Sequence, residues 1–386
     1  MTNAGLKPVE GALAAEKQEL QIVRIRIAEC ALPLPRILRL GPIEIKTRDY
    51  VVLRIETRSG LFGEAIAYPR GTPLFETVSR MARRVMGADA SQRRGIVLGL
   101  EQSNAPGRAG LTRGLSLIDI ACWDIACKKA AQPLFEFLGA FRKQAGATAV
   151  AGYYMDQRPL SDVLDEIKRL SDEGCPRVKI MLKGDDPDFD RHYVSAAAAA
   201  LPGRMAADAH WTWSTLTEAK RLCRDLDDLG LNFLEDPFAA SDWRLTHELQ
   251  WDLRTPIAAG EDVYGARAFA DLVRGIGILR MDATTCGGIS GAIEAINIAA
   301  SAGRTVLPHV FAPLHVHFAC AFPNVEGVEI IPEASGADPV QRLLRDFPVR
   351  RNGQLSASEE PGVGITLDWD AIEHLAQRTA VISPEE

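Results

Sequence analysis

Six ionisable residues recur at near-even spacing through the second half of this chain: Lys179, Asp208, Glu235, Glu261, Asp282 and His309. The steps between them are 29, 27, 26, 21 and 27 residues, each about one strand plus one helix with their connections. Each residue lies in or at the end of a short strand-like run: Arg177 to Leu182, Arg204 to Ala207, Leu231 to Leu234, Ile257 to Ala259, Ile276 to Met281 and Thr305 to Leu307. Helix patterns fill the gaps. Thr215 and Glu218 have capping-box spacing, Ala219, Leu222, Cys223, Leu226 and Leu229 form one apolar face, and Gly230 suits the C′ position. A second helix is predicted from about Ser290 to Ala302, ended by Gly303. This alternation predicts a parallel sheet. In a parallel barrel all strand C-termini lie on one face, so the six groups would converge on one mouth.

The residue types suit a hard cation. Asp208, Glu235 and Glu261 offer three carboxylates with no sulfur or imidazole, an oxygen-only set appropriate to Mg²⁺. Glu235 taken alone, before Asp236-Pro237, reads equally well as an ordinary loop or cap residue. Three at one period favour convergence.

The first part of the chain has a different texture. Ile22 to Ile27 and Tyr50 to Glu56 read as strands, Ser59-Gly60 as a turn, and Leu115 to Ala130 as a helix with apolar residues recurring at three and four. The small, basic stretch Gly139 to Gly146 is a domain junction, and the βα rhythm starts near Thr148. A length of 386 residues fits one large domain and a smaller companion. The net charge of −7 comes from intermixed acids and bases with no basic block, so neither nucleic acid nor a membrane surface is an expected partner. No run of about 18 apolar residues occurs, and the first 17 residues lack a signal-peptide layout, so a cytoplasmic protein is expected. Seven scattered cysteines without CxxC spacing read as reduced, buried thiols.

The segments Asp208-Ala-His210, Leu234-Glu235-Asp236-Pro237, Ala259-Gly260-Glu261, Met281-Asp282 through Gly287-Gly288, and Leu307-Pro308-His309 occur in this order. They resemble the barrel motifs of mandelate racemase-like members of the enolase superfamily. The stretch from Ser116 to Asp124, followed by Gln132-Pro133-Leu134, resembles the end of that superfamily's capping domain, and Pro361-Gly362-Val363-Gly364 its C-terminal return. The resemblance spans about residues 20 to 370. It implies an α/β fold: a modified (β/α) TIM-type barrel with an N-terminal α+β capping domain. The expected division is a tail at 1–17, a capping domain at 18–145, a barrel at 146–340, and a return at 341–386 that completes the cap. Pro33 to Ile43 and Tyr68-Pro69-Arg70-Gly71 would be specificity loops, with Arg70 either binding a substrate carboxylate or hydroxyl or lying solvated. A homo-oligomer is also expected.

The resemblance carries roles as well. Asp208, Glu235 and Glu261 would ligate Mg²⁺, which stabilises the charge developing when a proton leaves the carbon beside a carboxylate. That division of labour between a base and a metal ion is the superfamily's known pattern, and it comes to this chain through the resemblance alone. Lys179 would add positive charge beside the same oxygens, and Glu329 would donate a hydrogen bond to one of them. His309 is the expected general base, oriented by Asp282. The chain departs from the family at its second barrel strand, where Lys-x-Lys is usual. Here the run is Lys179-Ile180-Met181-Leu182-Lys183, with Met181 in place of the second lysine. Lys183 either substitutes for it or points to solvent. Racemisation needs bases on both faces of the carbon, whereas dehydration needs one base and an acid for the β-hydroxyl. His210 either supplies that acid or packs behind the site. Trp211 and Trp213 either wall the pocket or pack between strand and helix, and His315 and His317 are structural. The expected activity is a Mg²⁺-dependent dehydratase of a small anionic sugar acid, a lyase giving a 2-keto-3-deoxy acid. The alternatives are a racemase or epimerase on the same fold, and a binding member without turnover.

Overall fold

The computed structural model describes residues 19–40, 43–103 and 110–384; the expected tail at 1–17 lies outside them. β1 (Ile22–Leu40) and β2 (Ile43–Thr57) form a long antiparallel hairpin, with Ile25 opposite Ile55 and Ile27 opposite Leu53. β3 (Phe62–Ala67) extends it through the turn at Gly60, whose φ of +85° suits a residue without a Cβ. Pro33 to Ile43, expected as a loop, is mostly the outer arms of this hairpin. The register slips between Pro33 and Leu38, and Arg39 then reaches Asp156 at 2.7 Å, so the arms lie against the barrel. Prolines cannot donate to a ladder, which explains both the slip and the loop-like look of this stretch in the sequence.

Eight parallel strands follow: β4 (Gln144–Ala151), β5 (Arg177–Met181), β6 (Met205–Asp208), β7 (Leu234–Glu235), β8 (Ile257–Ala259), β9 (Ile278–Leu279), β10 (Thr305–Val306) and β11 (Val328–Ile330). Neighbours pair in sequence order from β4 to β10. β11 pairs with β4, and Val306 bridges to Val325 just before β11, which curls the sheet into a ring. Ala206, Phe233, Ala258, Ile278 and Leu307 fill part of the interior as a separate apolar cluster. Helices lie between the strands, among them Leu216–Asp227, which carries the full Thr215/Glu218 capping box. β12 (Gln354–Ser356) pairs antiparallel with β4, and β13 (Ala376–Ile382) returns to β1.

The helix Thr112–Lys129 ties these parts together. Asp119 accepts from the Ser290 amide and hydroxyl at 2.9 and 2.8 Å. Asp124 accepts from the amides of Glu64 and Val363, both at 3.0 Å, so cap sheet, barrel and C-terminal return all meet this one helix. Gly288 (φ +79°) makes the approach possible, since a Cβ there would fall 2.3 Å from Asp119 Oδ2. All seven cysteines are buried and unbridged. No helix among the described residues is long and apolar enough to cross a membrane.

Candidate active site

Strand alternation turns Lys179 into the barrel interior, where its Nζ lies 2.9 Å from Asp208, 2.8 Å from Glu235 and 2.7 Å from Glu329. All four side chains are buried. A second interior cation sits beside it. Arg280, fully buried on the strand run before Asp282, contacts Glu235 Oε1 through Nε and Glu329 Oε2 through Nη2, both at 2.7 Å. Its Nη1 donates to the carbonyl of Leu307 at 2.8 Å. The even spacing of the six ionisable residues does not include Arg280. Its signal is an arginine inside an apolar run, two residues before Asp282 and therefore on the same face.

Towards the mouth, oxygens of Glu235, Asp236 and Glu261 come within 4.8 Å of one another. Sequence alone does not single out Asp236, because it follows Glu235 directly and looks like a turn residue. Its left-handed backbone (φ 41°) turns the carboxylate inward, where Trp211 Nε1 donates to it at 3.1 Å. Burial, reinforced by Glu261, Glu235 and Asp208, pushes the Asp236 carboxyl well above the usual carboxylate range. Burial acts in the same direction on Asp208, but His210 and Lys179 outweigh it and hold that carboxyl low. Glu261 is likewise held low against its burial, chiefly by Arg70 and His309.

Across from these carboxylates, His309 Nδ1 stands 3.0 Å from Asp282 Oδ2. Asp282 is fixed in turn by the Thr284 amide at 2.7 Å. Burial opposes ionisation of Asp282, but the His309 hydrogen bond and the charges of His315 and His309 bring its pKa down to about 2. On the other ring edge Arg70 Nη2 lies 3.1 Å from His309 Nε2. Guanidinium only donates, so this contact calls for Nε2 as acceptor, while Glu261 Oε2, 3.3 Å from the same nitrogen, attracts a proton there. Arg70 also contacts Glu261 at 2.6 Å and Asp262 at 3.1 Å, and Asp262 is held from its other side by Arg113.

The remaining predicted residues divide. His210 lies with its Nδ1 3.0 Å from Asp208 Oδ1, out of line for a hydrogen bond. Trp211 stands beside Arg70, whose guanidinium lies 5.6 Å from its ring centroid. Lys183 sits apart: it pairs with Asp185 at 3.2 Å and Asp186 at 3.6 Å, on the approach to the helix Pro187–Ala200. Met181 is buried on the same face of β5 as Lys179. His315 bridges the Val310 carbonyl and the Ala283 amide, and His317 accepts from the Phe135 amide, so both serve packing.

One backbone feature marks the mouth. Arg70, His210, Trp211, Asp236, Val310 and Phe311 all hold left-handed φ between 38° and 55°. Such conformations cost about 1–3 kcal/mol each in residues other than glycine and concentrate at functional sites.

Residues 162–371 match the family model described as enolase C-terminal domain-like, and residues 15–139 match that of the mandelate racemase / muconate lactonizing enzyme N-terminal domain. The L-talarate/galactarate dehydratase of Salmonella typhimurium is 27% identical over 330 residues, 83% of this chain and 81% of that protein. The L-Lys-D/L-Arg epimerase of Methylococcus capsulatus is 26% identical over 379 residues, 90% of this chain and 99% of that protein. A crystal structure of the Salmonella typhimurium L-talarate/galactarate dehydratase, liganded with Mg and L-lyxarohydroxamate, superposes with a TM-score of 0.87 at 25% identity. The match covers 99% of this chain and 97% of that one.

Proposed function

This chain belongs to the mandelate racemase / muconate lactonizing enzyme family of the enolase superfamily, and from that premise we propose that it is a Mg²⁺-dependent dehydratase of a sugar acid. The observation that carries the reading is one-sided chemistry. A His309–Asp282 pair faces the converging carboxylates, while Met181 fills the place on β5 where the family's second base would stand.

The site fits a hard divalent cation. Its donors are oxygens only, buried, and so crowded with negative charge that Asp236 is driven toward its neutral form. Asp208, Glu235 and Glu261 would hold Mg²⁺; of these, Glu235 and Glu261 cluster with Asp236 in this structure, while Asp208 has Oδ2 2.9 Å from Lys179 and Oδ1 accepting from the His210 amide at 3.0 Å. When bound, the ion supplies Lewis-acid stabilisation of charge at the substrate carboxylate.

The chain's own residues do the rest. Arg70 presents a partly exposed guanidinium to an anionic substrate, Lys179 offsets part of the carboxylates' charge, and Trp211 stands beside Arg70. Nε2 of His309 takes the proton from the carbon beside the carboxylate, and Asp282 stabilises the resulting imidazolium through Nδ1. His210, beside Asp208, delivers a proton to the departing β-hydroxyl. One proton is gained at His309, one is lost at His210, and water leaves. Tautomerisation of the enol gives a 2-keto-3-deoxy acid.

The test is a panel of aldonic and aldaric acids, galactarate and L-talarate included, assayed with Mg²⁺ in D₂O. Keto-acid formation is expected for at least one member. Substrate recovered with α-deuterium and scrambled stereochemistry, with no keto acid formed, would instead identify an epimerase.

A further inference from the structure

Arg280 is the one fully buried arginine among the described residues, and it touches no solvent. Burying a guanidinium is costly unless each of its charges and donors is met. Here Nε meets Glu235 Oε1, Nη1 meets the Leu307 carbonyl and more distantly that of Pro308 at 3.3 Å, and Nη2 faces Glu329. Lys179 contacts the same two carboxylates from the other side. Glu235 therefore has one oxygen on each cation, and Glu329 Oε2 lies between the two cations at 2.7 Å from each. The Arg280–Glu329 approach is out of line for a hydrogen bond, so charge holds it.

We propose that Arg280 is a positioning residue which clamps the metal-ligating Glu235 to the backbone just ahead of His309, with Glu329 as its partner on the other arm of the fork. The inference rests on the Mg²⁺-site reading above. It adds that Glu235 is aimed from below by a guanidinium.

The experiment is a double-mutant cycle of Arg280→Met and Glu329→Gln in the full-length enzyme, read by thermal unfolding without metal and by Mg²⁺ titration calorimetry. Each single variant is expected to lower the melting temperature, and the double variant by clearly less than the sum. Arg280→Met is expected to weaken Mg²⁺ binding by about ten- to a hundredfold, the usual effect of removing a partner that orients a ligand. At saturating Mg²⁺ the KM for substrate should move by less than threefold. Arg280→Lys keeps the charge but loses the fork, and gives a folded protein of intermediate Mg²⁺ affinity. Additive melting shifts overturn the inference, as does unchanged Mg²⁺ affinity in Arg280→Met. A Glu329→Gln protein with unaltered melting also overturns it, because the charge facing Arg280 would then be lost at no cost. If the parent protein binds no Mg²⁺, the functional reading fails by itself, and the metal-free cycle still decides whether Arg280 and Glu329 form a unit.

Discussion

The site has two tiers, and they are built on opposite principles. The lower tier, Lys179, Arg280, Glu235 and Glu329, comes from positions within or at the edge of the barrel wall, is almost free of solvent, and pairs every charge. The upper tier, Arg70, His210, Asp236, Glu261 and His309, stands on the segments after the strands. Three of its members, Arg70, His210 and Asp236, hold left-handed backbone, and its contacts leave Arg70 26% exposed at the side chain. The lower tier is rigid because strands fix the direction of each side chain and the low-dielectric interior makes an unpaired charge costly. The upper tier keeps groups that can exchange partners, which proton transfer and substrate binding both require. A reactive site built this way separates the elements that fix geometry from those that change state.

The contrast can be broken by mutation. His309→Asn removes the proposed base, and turnover should fall by about a hundred- to ten-thousandfold, with the melting temperature kept within a degree or two. Steady-state keto-acid assays and calorimetry check this together, and a large loss of stability would place His309 in the structural tier. Lys179→Met leaves three buried carboxylates short of a cation. It should cost about 3–5 kcal/mol in denaturant unfolding, and a loss below about 1 kcal/mol would show that the lower tier is not locked by charge.

Asp282 joins the tiers and supplies a pH test. Its pKa in the folded protein, about 2, lies below the ordinary 3.8. Its ionised form therefore contributes stability that is fully present above about pH 4 and is lost as pH falls through 2, about 2 kcal/mol in total. The stability gap between the parent and Asp282→Asn, followed by unfolding from pH 5 to pH 2, should shrink over that window. A gap that stays constant would mean that Asp282 is not held ionised by its partners.

Arg70→Ala is expected to have the smallest effect on folding, within about 1 kcal/mol, because its ion pairs are partly open to solvent. The same change should raise the KM for an anionic substrate. A loss of several kcal/mol would move Arg70 from the upper tier to the lower.

The βα rhythm, the helix at Leu216–Asp227 with its capping box, and the spacing of Lys179 through His309 were all legible in the chain itself. Periodicity is a local property, and a parallel barrel converts it directly into convergence. Pro33 to Ile43 misled because prolines and a register slip hide a strand whose partner is set by the hairpin and whose far side rests on the barrel. Lys183 was ambiguous for a related reason: alternation predicts direction only while the strand continues, and β5 ends at Met181.

What the sequence determined without help is the repeat, and with it the identity of most charged groups at the barrel mouth, because hydrophobic period and turn chemistry act between near neighbours. Only the tertiary structure decided which charge meets which. Arg280 is a plain arginine in a strand until the ring closes and brings Glu235 and Glu329 from two other strands onto its fork. Asp236 is a turn residue until its left-handed backbone swings it toward Glu261. Electrostatic partners are chosen by distance and burial, and neither exists before the chain has folded.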